Sequence, residues 1–424
     1  MNYRREIDGL RAVAVMPVIL FHAGLPLIPG GYIGVDVFFV ISGFLITTIM
    51  INDLEQKRYS LAGFYERRAR RILPALFVMM TVTVPLAWFF LIPTEFADYA
   101  RSFGAAALFI SNFHFGEKQG GYFAANVGEK PLLHTWTLGV EEQYYLVIPL
   151  ILFLCMMSGR RLTFAILGLL AFASLLLSDW GSRNEPTVNF FFTPSRFWEL
   201  LAGSLLALYA TGRQMKGHDL LAWLGLAMVA SAMLLYTDRT PFPSFYTLLP
   251  VVGTVLILAF AREGTQVARL LSARVMVAIG LISYSAYLWH HPVYSFARVR
   301  YFGDPPIWLM VILTIGVFGL AWASWRFVEQ PFRGKSPALL PKRKQLFAAS
   351  GAVSLVFVGF GAWGLANGGF PARLNLDPEL QASLTDGYKI NGQDACFNWA
   401  HFIPDGQPAH DYYCVKGDPE VFLT

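Results

Sequence analysis

An all-α protein that crosses a membrane many times is what this sequence predicts, and three observations predict it. Hydrophobic residues make up 55% of the 424 positions and charged residues only 14%, against roughly 25% charged in a soluble domain. The apolar residues gather in stretches near spanning length, at 12–28, 33–51, 73–92, 142–157, 162–178, 194–210, 219–236, 244–261, 276–296, 307–328 and 346–366; about 20 such residues cross a bilayer as a helix. The basic residues sit at the ends of these stretches. With the N-terminus inside, 21 of the 33 Lys and Arg are cytoplasmic and ten lie opposite, while Arg196 and Arg326 fall within spans, the bias that orients membrane helices. The net charge of +5 therefore reads as a topology signal, and nucleic acid is excluded as a partner.

The first stretch carries Arg11 and His22, separated by ten mostly apolar residues. Ionisable groups at membrane depth are expensive and read as functional. Eleven helical steps of about 100° return to nearly the same face, about 16 Å further along the axis. Arg11, always charged, would lie near the surface and suit phosphate; His22 would lie about mid-bilayer and exchange protons near neutral pH. Asp8, Arg11 and His22 interrupt the pattern of a cleaved signal, so the segment reads as a retained span. A weakly apolar stretch, 96–112, reads as a re-entrant or surface helix in the loop before His134.

The second stretch opens Gly34-Val-Asp-Val-Phe-Phe-Val-Ile-Ser-Gly-Phe-Leu. Asp36 is placed to cap a helix start or to serve chemistry, and Ser42-Gly43 permits close helix packing. Before the third stretch stand Arg67, Arg68, Arg70 and Arg71. Four guanidinium forks in five residues exceed what a membrane anchor needs and suit a polyphosphate. Arg68 and Arg71, three apart, share a helix face and form the preferred pair.

Further along come His134-Thr-Trp-Thr-Leu-Gly-Val-Glu-Glu-Gln-Tyr-Tyr, Ser283-Tyr-Ser-Ala-Tyr-Leu-Trp-His-His-Pro and Phe327-Val-Glu-Gln-Pro. Together with Arg11 and His22, the arginine cluster and the Asp36 to Gly43 stretch, these ordered motifs resemble the membrane acyltransferase-3 family, over residues 1 to about 335. Its members move acyl groups from cytoplasmic acyl-CoA to sugars and other acceptors. One departure is Thr137-Leu-Gly139, where many relatives carry serine. The resemblance implies an O-acetyltransferase of the bacterial inner membrane, with acetyl-CoA as donor and a surface glycan such as lipopolysaccharide O-antigen, or its lipid-linked precursor, as acceptor. It implies His22, Glu142, Asp36 and His134 as catalytic residues. Arg11, Arg68, Arg71, Arg67 and Glu329 would serve the donor, and Tyr287 and His290 the acceptor or the support of the site.

Residue chemistry adds constraints. Glu141 and Glu142 are about 100° apart on a helix, so at most one is expected to enter the site. Tyr284, Tyr287 and His291 share a stripe, with His290 on its neighbour. Adjacent histidines lack the spacing for two ligands on one helical face, and no Cys or carboxylate cluster accompanies them, so no metal is expected. Arg326 and Glu329, and likewise Arg196 and Glu199, are spaced to pair. Intramembrane His, Glu and Arg also suit a proton-coupled glycan transporter, the rival reading.

Three segments follow from this: 1–335 as the transmembrane acyltransferase domain, 336–370 as a linker and eleventh span, and 371–424 as a polar periplasmic stub. Cys396 and Cys414 suit a disulfide in an oxidising compartment, and Cys155 reads as a small buried hydrophobe. The closing Pro419-Glu-Val-Phe-Leu resembles the approach to the first strand of an SGNH-type hydrolase domain, here truncated. The expected fold is an acyltransferase bundle of about ten helices plus the eleventh span, with the N-terminus cytoplasmic and the C-terminus periplasmic.

Overall fold

The computed structural model describes residues 3–374 except 26, 118–121, 123–126, 158, 302–303 and 335–336. Cys396 and Cys414, with the expected disulfide, lie outside the described residues. The elements are α1 (Arg5–His22), α2 (Gly34–Glu55), α3 (Leu61–Phe90), α4 (Pro93–Ala107), α5 (Ser111–Gly116), α6 (Trp136–Met157), α7 (Arg160–Asn184), α8 (Pro186–Phe191), α9 (Thr193–Ala210), α10 (Asp219–Leu235), α11 (Leu248–Phe260), α12 (Gln266–Leu271), α13 (Arg274–Tyr301), α14 (Ile307–Ala323), α15 (Gln330–Phe332) and α16 (Arg343–Ala366). A π-turn, Ser324–Glu329, joins α14 to α15.

Each apolar stretch of the sequence falls mainly on one helix: α1, α2, α3, α6, α7, α9, α10, α11, α13, α14 and α16. Six of these, α2, α3, α6, α7, α14 and α16, are long and apolar enough on their own to cross a membrane, and α10 and α11 are shorter apolar helices. No strand occurs among the described residues. The protein is an all-α polytopic membrane protein. Its outer face is lined by exposed Leu, Phe, Val and Trp of α7, α14 and α16, the surface that lipid requires.

Two boundaries differ from expectation in ways that place the site. α3 starts twelve residues early, because the Ser60 side chain accepts the Gly63 N–H at 3.2 Å and caps the helix, as serine does at a helix start. The arginine cluster thus lies on the helix, and its members face different ways. α1 runs from Arg5 and stops at His22, where Gly24 takes a φ of +70°, the left-handed turn that ends many helices. His22 is therefore the last residue of α1, about 26 Å from Arg5 by helical rise. Residues 96–112 form most of α4 and the start of α5, and α4 packs against α16 through Gly361, which faces the Ala100 carbonyl.

Glycines set two close helix pairs that position the site. A Cβ on Gly280 would stand 1.9 Å from the Asp8 carbonyl oxygen, and further along both helices His290 meets His22, so α13 and α1 run side by side in the same direction. On α2 and α9, a Cβ on Gly43 would meet the Leu200 carbonyl at 1.9 Å and one on Gly203 the Val40 carbonyl at 2.1 Å. Such close approach is what small residues provide between membrane helices. The buried Thr47 and Ser204 hydroxyls, 2.6 Å apart, tie α2 to α9. These two contacts fix Arg11 and His22 beside the α13 tyrosines and histidines, and Asp36 beside Arg196.

Candidate active site

Helices α1, α2, α3 and α13 and the start of α6 line an open cleft. Arg11, Arg68 and Arg71 line it together with Ser42, Glu141, Glu142, Tyr284 and Tyr287. Arg68 and Arg71 are the pair that helical spacing singled out. The other two arginines of the cluster turn elsewhere: Arg67 is exposed and pairs with Asp53 at 2.8 Å, and Arg70 holds Glu66 at 2.9 Å and the Pro341 carbonyl at 3.1 Å. Both glutamates line the cleft, against the expectation of one at most, because the cleft is wide enough to cover 100° of the α6 surface. Glu141 accepts from Ser42 at 3.0 Å and from Tyr145 at 3.1 Å. The Glu142 Oε1 is buried without a hydrogen-bond partner.

Beyond the cleft stands a group of four imidazoles. The ring centroids of His22 lie 5.1 Å from His290 and 5.2 Å from His291, and His134 lies 5.7 Å and 5.4 Å from the same two. His134, in the one-turn helix Leu133–Thr135 before α6, is buried, and neither ring nitrogen has a partner. Tyr287 is the wall between the two regions. It lines the cleft, its hydroxyl meets Thr137 Oγ1 at 2.8 Å and the His134 carbonyl at 3.1 Å, and its ring lies 5.2 Å from His290.

Hydrogen bonds set the tautomers in this group. A carbonyl only accepts, so His290 Nδ1, 2.6 Å from the Tyr287 carbonyl, carries its hydrogen. Neutral His290 then presents a lone pair at Nε2, which takes a hydrogen from His22 Nδ1 at 3.2 Å. The lone pair of His22 is thereby left on Nε2, and Nε2 faces the Tyr122 hydroxyl at 2.7 Å. This is the arrangement of a base whose second nitrogen is held in place by another group. Tyr122 comes from the loop before His134 and carried no signal in the sequence. Arg298, also unforeseen, donates from Nη2 to the His22 carbonyl at 2.6 Å.

Two expected site residues stand apart. Asp36 is fully buried but is not among the cleft-lining residues; its carboxylate lies 3.1 Å from Arg196 Nη1, which is 2.9 Å from Glu199. The expected Arg196 and Glu199 pair is therefore one half of a three-residue group, and the rings of Phe39, Trp136, Phe190 and Phe242 surround its guanidinium at 5.5 Å each. Glu329 is buried and accepts from Ser285 at 2.5 Å and from Arg333. It does not pair with Arg326, which is exposed and lies over the Phe327 ring. The π-turn is the reason, since its wider winding moves residues three apart off a common face. Cys155 is half-buried on α6.

A polytopic helical bundle with a guanidinium-lined cleft and a histidine group beside it carries more buried polar chemistry than a membrane anchor requires. The family profile described as an acyltransferase domain matches residues 4–326. The O-acetyltransferase OatA of Staphylococcus aureus (strain NCTC 8325 / PS 47) is 31% identical over 379 residues, covering 84% of this chain and 62% of the relative. The putative peptidoglycan O-acetyltransferase YrhL of Bacillus subtilis (strain 168) is 31% identical over 386 residues, covering 85% and 60%. The chain belongs to the acyltransferase-3 family. It spans about three fifths of the length of these curated relatives. No solved structure matches.

Proposed function

We propose that the protein is a transmembrane O-acetyltransferase that takes an acetyl group from acetyl-CoA and passes it to a hydroxyl of a cell-surface glycan. The observation that carries this reading is the continuity of the two regions: three arginines line one cleft, and Tyr287 of the same lining has its ring 5.2 Å from His290, whose Nε2 lies 3.2 Å from His22 Nδ1. The CoA phosphates dock against Arg11, Arg68 and Arg71, where planar forks suit phosphate oxygens. Its thioester points toward the histidines. As the acceptor oxygen bonds to the carbonyl carbon, its proton moves to His22 Nε2; the C–S bond breaks, and His22 returns the proton to the CoA thiolate. The Tyr122 hydroxyl, 2.7 Å from that nitrogen, stands where a reacting hydroxyl must come.

The arginine end faces the cytoplasm of the inner membrane in this reading, with the N-terminus cytoplasmic and the C-terminus outside. Similarity to the putative peptidoglycan O-acetyltransferase of Bacillus subtilis favours peptidoglycan as acceptor over lipopolysaccharide O-antigen. No observation favours the transporter alternative. The test is transfer in sealed vesicles, with acetyl-labelled acetyl-CoA on the side of Arg68 and Arg71 and a glycan acceptor on the other. Label crosses to the glycan with the native chain and not with His22→Ala; full transfer by His22→Ala would overturn the mechanism.

A further inference from the structure

We propose that His22, His290 and His291 form a binding site for a divalent transition-metal ion of the zinc type, and that the bound ion blocks acyl transfer. One ring nitrogen from each of the three lies within 4.8 Å of the others. The reasoning from helix spacing concerned two ligands on one helix; here α13 supplies two and the end of α1 the third.

The outer hydrogen bonds of the rings are those of metal ligands. His290 gives its Nδ1 hydrogen to the Tyr287 carbonyl at 2.6 Å, and His291 gives its Nε2 hydrogen to the Lys130 carbonyl at 3.0 Å. Both rings are therefore held in the tautomer whose lone pair is on the other nitrogen. Ligating histidines are oriented in the same way, by a carbonyl or carboxylate on the far nitrogen. His291 Nδ1, the nitrogen so freed, is buried and has no hydrogen-bond partner. His22 Nδ1 already lies 3.2 Å from His290 Nε2, close to the roughly 3.3 Å between two nitrogens that each stand about 2.0–2.1 Å from a tetrahedral zinc. Three neutral imidazoles with an open fourth position suit zinc, copper or nickel and not magnesium or calcium.

Binding at His22 Nδ1 displaces its hydrogen and leaves the ring with a hydrogen only on Nε2, pointing at Tyr122. That nitrogen then has no lone pair to take the acceptor proton. The inhibition rests on the proposed role of His22 as base; the metal site itself does not.

The experiment uses the full chain in detergent or nanodiscs and Zn²⁺ alone as probe, with zinc quantified by equilibrium dialysis. The native chain is expected to bind one Zn²⁺ that His291→Ala loses or binds at least tenfold more weakly. Because a buried variant can misfold, X-ray absorption on the zinc-loaded native protein is the second measurement, and it should show imidazole scattering from about three nitrogens at roughly 2.0 Å. No binding, binding unchanged by His291→Ala, or a spectrum without multiple imidazoles would overturn the site. Zinc should also stop acetyl transfer, with recovery on chelation. Zinc bound at the three histidines without loss of transfer would refute His22 as the base and the inhibition together, leaving the metal site standing.

Discussion

Arg298, near the end of α13, donates to the main-chain carbonyl of His22 at 2.6 Å, and so holds the terminal residue of one helix with a cation from another. The contact does two things. It satisfies a carbonyl that the end of α1 leaves without a helical partner, and it places positive charge at a helix C-terminus, where the dipole favours it. Arg298 is kept in place by Asp304 at 3.4 Å and by the close packing of Gly128, whose added Cβ would stand 3.2 Å from the Arg298 Cδ.

Arg298→Ala should therefore slow acyl transfer by misplacing His22, without weakening the donor site. Hydrogen bonds to charged groups contribute about 1.5–3 kcal/mol, and small misplacement of a reacting group costs about 10²-fold. The expected result is a kcat lower by roughly 10–100-fold with KM for acetyl-CoA unchanged, and partial recovery in Arg298→Lys. Steady-state kinetics in vesicles decide it; a rise in KM alone would place Arg298 in substrate binding instead.

Arg68→Ala and Arg71→Ala should show the opposite split. Each removes a cleft-lining guanidinium, and with it one charge-assisted contact to phosphate, so CoA binding measured calorimetrically should weaken by roughly tenfold or more per residue. Arg67→Ala, whose side chain pairs with Asp53 on the surface, should leave CoA binding within about twofold, since exposed ion pairs contribute little.

These contrasts also mark how far the sequence could be read. Arg11 with His22, and Arg68 with Arg71, were legible because both members of each pair lie on one helix, where periodicity alone decides which residues share a face. Tyr122, Arg298 and the partnership of Asp36 with Arg196 were not, because each joins segments far apart in the chain and no periodic signal records which helices touch. Glu329 was legible as a motif residue but its partner Arg333 was not: the local rule that would pair it with Arg326 assumes an α-helix, and the π-turn breaks that assumption. The eleven apolar stretches located the helices, yet the start of α3 was placed twelve residues late because its first turns are polar.

The buried Asp36, Arg196 and Glu199 group separates a structural role from a chemical one. Arg196→Met leaves two carboxylates buried without their cation, and removing one partner of such a group costs about 3–5 kcal/mol. The variant should melt well below the native protein in a detergent thermal assay. Asp36→Asn keeps the Arg196 and Glu199 pair at 2.9 Å and should melt much closer to native. If that well-folded variant has lost transfer by 10²-fold or more, Asp36 acts in the reaction and not only in the packing of α2 against α9.

Tyr287 offers the last test, because its side chain belongs to both halves of the site. Its hydroxyl bonds to Thr137 and to the His134 carbonyl, while its main-chain carbonyl fixes the His290 tautomer. Tyr287→Phe removes the hydroxyl contacts and leaves the carbonyl, so His290 and His22 should keep their arrangement while the wall between cleft and histidines loosens. Losing two neutral hydrogen bonds costs about 1–3 kcal/mol of local stability. Acetyl transfer to the glycan should fall, and hydrolysis of acetyl-CoA without transfer should rise, since a loosened wall admits water to the thioester. A label balance between free acetate and acylated glycan measures both at once. Unchanged partition between the two would mean that Tyr287 does not control passage, and that the route from donor to His22 lies on another side of α13.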